Sequence, residues 1–160
     1  DLKSTARRLD IGIEGYPDYD KINFGQVHPN VDPADIFVRE NNKTYVNFEI
    51  AMNAYMFGGY PTDEQIYQYS LQNHVTDTTP PAFIWHGGED GLIYPRNSFM
   101  FAEALREHNV TCELHVFGKG GHGLGLANEV TENNPWEVNE QCAMWPKLAA
   151  DWIKSILRQQ

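Results

Sequence analysis

Between Ala82 and Phe117 the spacing of apolar positions changes period twice, and the changes predict a strand, a helix and a second strand. Ala82-Phe83-Ile84-Trp85 is a continuous apolar run, the pattern of a strand covered on both faces, and Pro80-Pro81 bars a helix from entering it. From Arg96 to His108 there is no Pro or Gly; Phe99, Ala102 and Leu105 recur at intervals of three, with Arg106 and Glu107 off that face. That spacing predicts an amphipathic helix, which Asn109 stops. Thr111 to Phe117 alternates, with Cys112, Leu114 and Val116 pointing one way and Glu113 and His115 the other. A strand, helix and strand joined by such short connections form a right-handed parallel unit.

The flanks carry helical patterns. Asn47 is positioned to cap a helix over Phe48–Phe57, which places Phe48, Met52, Tyr55 and Met56 on one face before Gly58-Gly59 ends it. Such a stripe serves a core or a contact between copies, so a homo-oligomer stays open. Thr62 and Gln65 make a capping box for a short helix over Asp63–Ser70. The last helix is predicted over residues 143–158. Pro146 falls in its first turn, Trp145, Leu148, Ala149, Trp152 and Ile156 form an apolar stripe, and Lys154 and Arg158 suit the negative end of its dipole. Asp1 to Asp10 is polar, and Ile11 to Asp35 is rich in Gly, Pro, Asp and Tyr with little periodicity. The latter predicts an irregular excursion, and Tyr16, Tyr19 and Phe24 are its candidates for lining an acyl or sugar pocket; packing the loop onto the body is the equal alternative. Asp18 and Asp20 lack the further oxygen ligands of a calcium loop. Only two strands emerge in all. A two-stranded sheet is marginal alone, so the apolar run at Ala82–Trp85 is expected to sit inside a larger sheet.

Composition narrows the partners. Hydrophobic residues make up 41% of the 160, with four Trp, eight Tyr and eight Phe, which suits a packed core. A formal charge of −10 argues against nucleic acid and against an anionic membrane. No apolar run approaches the ~20 residues needed to span a bilayer, and the compartment stays open between cytoplasmic and secreted. Cys112 and Cys142 are read as free thiols.

The chemistry lies in the two loops that follow the strands. Parallel neighbours lie about 4.8 Å apart and end on the same edge, where open α/β sheets bind their ligands. His86-Gly87-Gly88-Glu89-Asp90-Gly91 and Gly120-Gly121-His122-Gly123 therefore open side by side. A carboxylate from one can fix the tautomer of an imidazole from the other, so that the far nitrogen takes a proton. Asp90 and His122 are the candidates, with Glu89 competing for the acid. Asp and Gly serving turns alone is the plainer alternative. His86 is placed to shape the acid loop through a hydrogen bond. A metal held by His86, Asp90 and His122 would lack compact paired spacings such as H-E-x-x-H, so neither metal nor cofactor is expected.

These residues also carry a family resemblance. Leu71-Gln72-Asn73-His74-Val75, Thr79-Pro80-Pro81, Trp85-His86, Asn97-Ser98, Phe101-Ala102-Glu103-Ala104-Leu105 and Gly120-Gly121-His122-Gly123-Leu124-Gly125-Leu126-Ala127 are similar to the C-terminal part of the α/β-hydrolase fold. More narrowly, they resemble the bacterial carbohydrate esterases called acetyl-xylan esterase-like or feruloyl-esterase-like. The resemblance spans Leu71 to Ile156 and implies late parallel strands with flanking helices, a cap- or lid-like insertion over residues 12–60 that shapes substrate choice, and acid and histidine loops over residues 79–127. It implies Asp90 as triad acid and His122 as triad base. Gly87-Gly88-Glu89 and Tyr94 depart from the usual residues beside the acid and bear on pocket shape, which makes Tyr94 a further substrate-binding candidate. In such enzymes the nucleophile stands in a Gly-x-Ser-x-Gly turn, and none of Ser4, Ser70, Ser98 and Ser155 has that context. The expectation is a serine esterase acting on a small ester such as an acetylated sugar. Its nucleophile would lie on an N-terminal half upstream of Asp1, and this chain alone would be inactive. A peptidase relative and a non-catalytic binding or assembly module are the alternatives.

Overall fold

A computed structural model describes residues 8–10, 30–40, 43–132 and 134–158. The chain divides into two compact units, Asp1–Tyr69 and Ser70–Gln160.

The first unit holds a three-stranded antiparallel sheet that the sequence reading did not anticipate. Its strands are β1 (Arg8–Asp10), β2 (Phe37–Glu40) and β3 (Lys43–Asn47), in the order β1-β3-β2. The β2–β3 pair runs from Phe37↔Val46 to Glu40↔Lys43. Only two residues separate these strands, the commonest hairpin spacing. Helix α1 (Pro33–Ile36) precedes β2, and Asp32 opens it by accepting the Ala34 N–H at 2.9 Å. Helix α2 (Phe48–Phe57) leaves β3 directly and ends where Gly58, at φ +70°, donates to the Ala54 carbonyl at 2.8 Å. Val31, Ile36 and Ala54 form the core, with Ile50 against them. The buried face of α2 thus runs through Ile50 and Ala54, whereas Met56, expected on that face, is exposed. Helix α3 (Asp63–Tyr69) begins with the reciprocal cap expected of Thr62 and Gln65. Each backbone N–H is held by the other's side-chain oxygen, at 2.9 and 3.2 Å.

The second unit is a parallel two-stranded sheet between two helices. Strands β4 (Ala82–Gly87) and β5 (Cys112–Phe117) pair from Ala82↔Cys112 to Gly87↔Phe117, and helix α4 (Arg96–Glu107) connects them. On one face Ala82, Ile84 and Cys112 pack with Phe101 against a core of Val75, Ala104, Leu105 and Val110. On the other face lies helix α5 (Trp145–Leu157), with Phe83 against Trp152 at 5.8 Å between ring centroids and Trp85 stacked on Trp145 at 5.5 Å. The continuous apolar run of β4 is thus covered on both faces, Ala82 and Ile84 toward one core and Phe83 and Trp85 toward α5. Phe99 departs from its expected place and is exposed, because the buried arc of α4 is Ala102, Ala104 and Leu105. Asn109 ends α4 in the left-handed region at φ +58°, and the next N–H, on Val110, returns to the Leu105 carbonyl at 2.8 Å.

Candidate active site

Strands β4 and β5 end opposite each other, and the backbones stay in contact beyond the sheet. Gly88 donates to the Phe117 carbonyl at 2.6 Å and Glu89 to the Gly120 carbonyl at 3.0 Å. Proximity, more than turn geometry, explains the glycines here. A Cβ on Gly87 would lie 2.4 Å from the Gly120 oxygen, and one on Gly88 would lie 2.6 Å from the Phe117 oxygen. Gly120, at φ +109°, also faces the Cys142 sulfur, which a Cβ would meet at 2.7 Å. Glu89 and Lys119 add an ion pair across the two loops, and Lys119 beside it lowers the Glu89 carboxyl.

Asp90 and His122 meet at this junction, with Nδ1 of His122 2.9 Å from Oδ2 of Asp90. Asp90 is 6% exposed. Its other oxygen, Oδ1, accepts the N–H groups of Leu92 at 2.9 Å and Ile93 at 2.8 Å. Burial by itself would push this carboxyl up. The amides of Ile93 and Leu92 and the His122 imidazole outweigh burial and hold it below its ordinary range. A carboxylate held ionised can only accept, so His122 carries its proton on Nδ1 and its Nε2 is free to take another. Nearly half of the His122 side chain is exposed, so Nε2 chemistry is open to a ligand.

The histidine loop is anchored from the far side by residues that sequence patterning does not connect with it. Trp145 donates its indole N–H to the Gly125 carbonyl at 2.8 Å. Thr131 Oγ1 accepts the Leu126 N–H at 2.9 Å, and Asn139 donates its N–H to the Ala127 carbonyl at 2.8 Å. The Cys142 thiol, fully buried, points at the Lys119 carbonyl at 3.4 Å. Gly123, Gly125 and Ala127 all take positive φ, of which only Ala127 is costly. Apart from Thr131, five residues from Leu126, each anchor is a contact between residues 12 or more apart, with no short motif to announce it.

The other candidates fall as follows. Glu89 faces Lys119, and it is Asp90 that faces His122. His86 touches the acid loop twice: its Nε2 lies 2.8 Å from the Ile93 carbonyl and 3.2 Å from Asp90 Oδ2. Tyr94 is half-buried, and its carbonyl accepts from Asn97 in the first turn of α4. Tyr16, Tyr19 and Phe24 lie outside the described residues. The Ser98 hydroxyl bonds His86 at 2.7 Å, and that of Ser155 bonds the Trp152 carbonyl at 2.7 Å.

Known proteins resemble this chain in both sequence and fold. The model of the prolyl oligopeptidase family, peptidase S9, matches residues 37–136. An endo-1,4-β-xylanase B from Butyrivibrio fibrisolvens is 45% identical over 74 residues, which is 46% of this chain and 12% of the xylanase. The carboxylesterase Cest-2923 from Lactobacillus plantarum is 36% identical, with a TM-score of 0.56 over 66% of this chain and 36% of its own. An acetyl ester-xyloside bifunctional hydrolase from Caldicellulosiruptor lactoaceticus is 35% identical, with a TM-score of 0.58 over 68% of this chain and 36% of its own. The fold is that of the α/β-hydrolases, and the chain spans little more than a third of the length of these two structures.

Proposed function

Because this chain belongs to the prolyl oligopeptidase family of α/β-hydrolases, we propose that it supplies the acid and base of a Ser-His-Asp triad in a carboxylic-ester hydrolase. Asp90 is the acid and His122 the base, and the bond between His122 Nδ1 and the buried Asp90 carboxylate carries this reading. The nucleophilic serine comes from a segment outside these 160 residues, in keeping with the lack of a Gly-x-Ser-x-Gly turn among them. The serine attacks the ester carbonyl as Nε2 of His122 takes its proton. Collapse of the tetrahedral intermediate returns that proton to the leaving alcohol, and water repeats the cycle to release the acid. Asp90 keeps the imidazole in the productive tautomer and stabilises it when charged. The substrate is a short acyl ester, in particular an acetyl group on a sugar or xylan fragment. Support for it comes from the carboxylesterase and the acetyl ester-xyloside hydrolase, each more than a third identical to this chain.

The same segment that brings the serine also completes the sheet. Ala82 to Trp85 of β4 are not fully buried despite the apolar sequence, which suits a strand with further structure to cover it. Hydrolysis of p-nitrophenyl acetate is the test, with this chain alone, with the chain joined to its upstream half, and with His122→Ala in the joined form. Activity needing both halves and lost on His122→Ala supports the proposal. Full activity of the 160 residues alone refutes an external serine. The family match favours one second reading, a peptidase. A peptide p-nitroanilide cleaved in preference to the acetyl ester would select it.

A further inference from the structure

A histidine outside the triad is bonded behind the acid, and its geometry is more specific than packing needs. His86, at the end of β4, is 12% exposed. Its Nε2 lies 2.8 Å from the Ile93 carbonyl, which can only accept, so the proton of the neutral ring is on Nε2. That same N–H lies 3.2 Å from Asp90 Oδ2, the oxygen that also receives His122. On the opposite side of the ring, Ser98 in the first turn of α4 lies 2.7 Å from Nδ1 and donates its hydroxyl there. The two ring nitrogens thus have different duties, which the acceptor-only Ile93 carbonyl fixes and Ser98 completes at Nδ1. Ile93 is gripped at both ends, its N–H by Asp90 Oδ1 and its carbonyl by His86.

We propose that Ser98 and His86 form a positioning relay behind Asp90. Ser98 orients the His86 ring by donating to Nδ1, and the Nε2 proton, bonded to the Ile93 carbonyl beside the carboxylate, locks the acid loop so that Oδ2 meets His122 Nδ1. The inference rests on the triad reading of Asp90 and His122. His86 and Ser98 are positioning residues, because they act on the reaction only through Asp90. The ionisable groups around the relay are Asp90 and His86 on the first loop, His122 on the second, and the Glu89–Lys119 pair across them. From α4 the contact is the uncharged Ser98 hydroxyl.

The test uses the full-length enzyme with p-nitrophenyl acetate and four variants: His86→Leu, His86→Gln, Ser98→Ala and Ser98→Thr. His86→Leu is expected to lower kcat about tenfold to a hundredfold, the range for sub-ångström to 1 Å misplacement, with KM changed by no more than about twofold. His86→Gln, which keeps an N–H donor, recovers part of the loss. Ser98→Ala lowers kcat less than His86→Leu does, and Ser98→Thr restores it. The acid limb of the kcat/KM profile moves to lower pH in His86→Leu, because a carboxylate no longer held on Nδ1 stabilises charged His122 less well. NMR titration of the His122 ring in the same proteins reads that shift without relying on turnover. Equal kcat and an unmoved His122 titration in His86→Leu and wild type would overturn the relay. So would equal losses in His86→Leu and His86→Gln, or a shift to higher pH. A full-length enzyme that is inactive, or that keeps its activity in His122→Ala, refutes the triad reading instead; the NMR titration still decides the relay.

Discussion

Gly87→Ala is the sharpest probe of how the two loops are joined. The added Cβ would stand 2.4 Å from the Gly120 oxygen, 2.7 Å from the Gly120 carbonyl carbon and 2.8 Å from the Gly121 oxygen. All three atoms are backbone, so no side-chain rotation relieves the clash. Carbon–oxygen contacts are ordinarily comfortable from about 3.3 Å, so the loops must part by about 0.9 Å. Added to the 2.9 Å between His122 Nδ1 and Asp90 Oδ2, that opening gives about 3.8 Å, past the reach of a hydrogen bond. Catalysis should fall about a hundredfold, the usual effect of a 1 Å misplacement. Overpacking of this kind also costs about 1–3 kcal/mol of stability. Gly118→Ala is the control, since a Cβ there meets nothing within 4 Å and Gly118 keeps a negative φ. Esterase kinetics and thermal melting of the full-length protein and both variants make the assay. If Gly87→Ala matches Gly118→Ala in kcat and melting temperature, the loops are not joined as described.

Further outcomes follow from other contacts. Asp90→Asn should abolish most of the activity, by about ten-thousandfold if the tautomer of His122 is its main lever, while Glu89→Gln leaves kcat near wild type. The same Asp90→Asn change has a stability signature. The native carboxyl titrates below its ordinary 3.8, so its contribution is complete above that value and lost as pH falls through the lowered native one. Melting temperature should accordingly fall less steeply in Asp90→Asn than in wild type as the pH is taken from about 5 to about 3. Leu105→Ala removes a fully buried side chain from the core beneath β4 and should cost about 2–5 kcal/mol in denaturant unfolding. Burial pushes the thiols of Cys142 and Cys112 up, so Ellman's reagent should label both slowly in the native protein and rapidly in denaturant.

Legibility in the sequence followed the range of the interaction. The cap at Thr62–Gln65, the stop at Asn109, the helix at Phe48–Phe57 and the alternation along Cys112–Phe117 all depend on neighbours within a few residues. Each of them appears in the structure where the residues suggested. The antiparallel sheet of the first unit escaped. β1 is three residues long and pairs with residues almost forty positions away, at Tyr45–Asn47, so no local period reveals it. The two-residue gap between Glu40 and Lys43 was the signal available for β2 and β3, without the Asn-Gly or Asp-Gly that usually marks such hairpins. At the site, spacing brought Asp90 and His122 to one edge but left Glu89 in contention. The choice is made by Lys119, thirty positions along, whose ammonium occupies Glu89.

The role of Ser98 shows why the remaining part of the site could not be read from the chain. It is a residue in the first turn of a helix, with no elbow motif around it. Its hydroxyl nevertheless sits 2.7 Å from His86, because the connection from β4 to α4 folds the first turn of the helix back over the strand end. A hydroxyl near a histidine signals catalysis only when the ring has a free acceptor aimed at it and the oxygen is exposed to substrate. The hydroxyl-to-ring bond has the same sense as in a nucleophilic triad, but the ring's other N–H goes to the Ile93 carbonyl with Asp90 beside it, and Asp90 itself is bonded to His122. The same three residue types that make a nucleophilic triad therefore make a support in the acid loop. What separates the two is the partner each group takes: Asp90 bonds His122, and the His86 ring bonds the Ile93 carbonyl, a backbone group common to every residue type and silent in sequence.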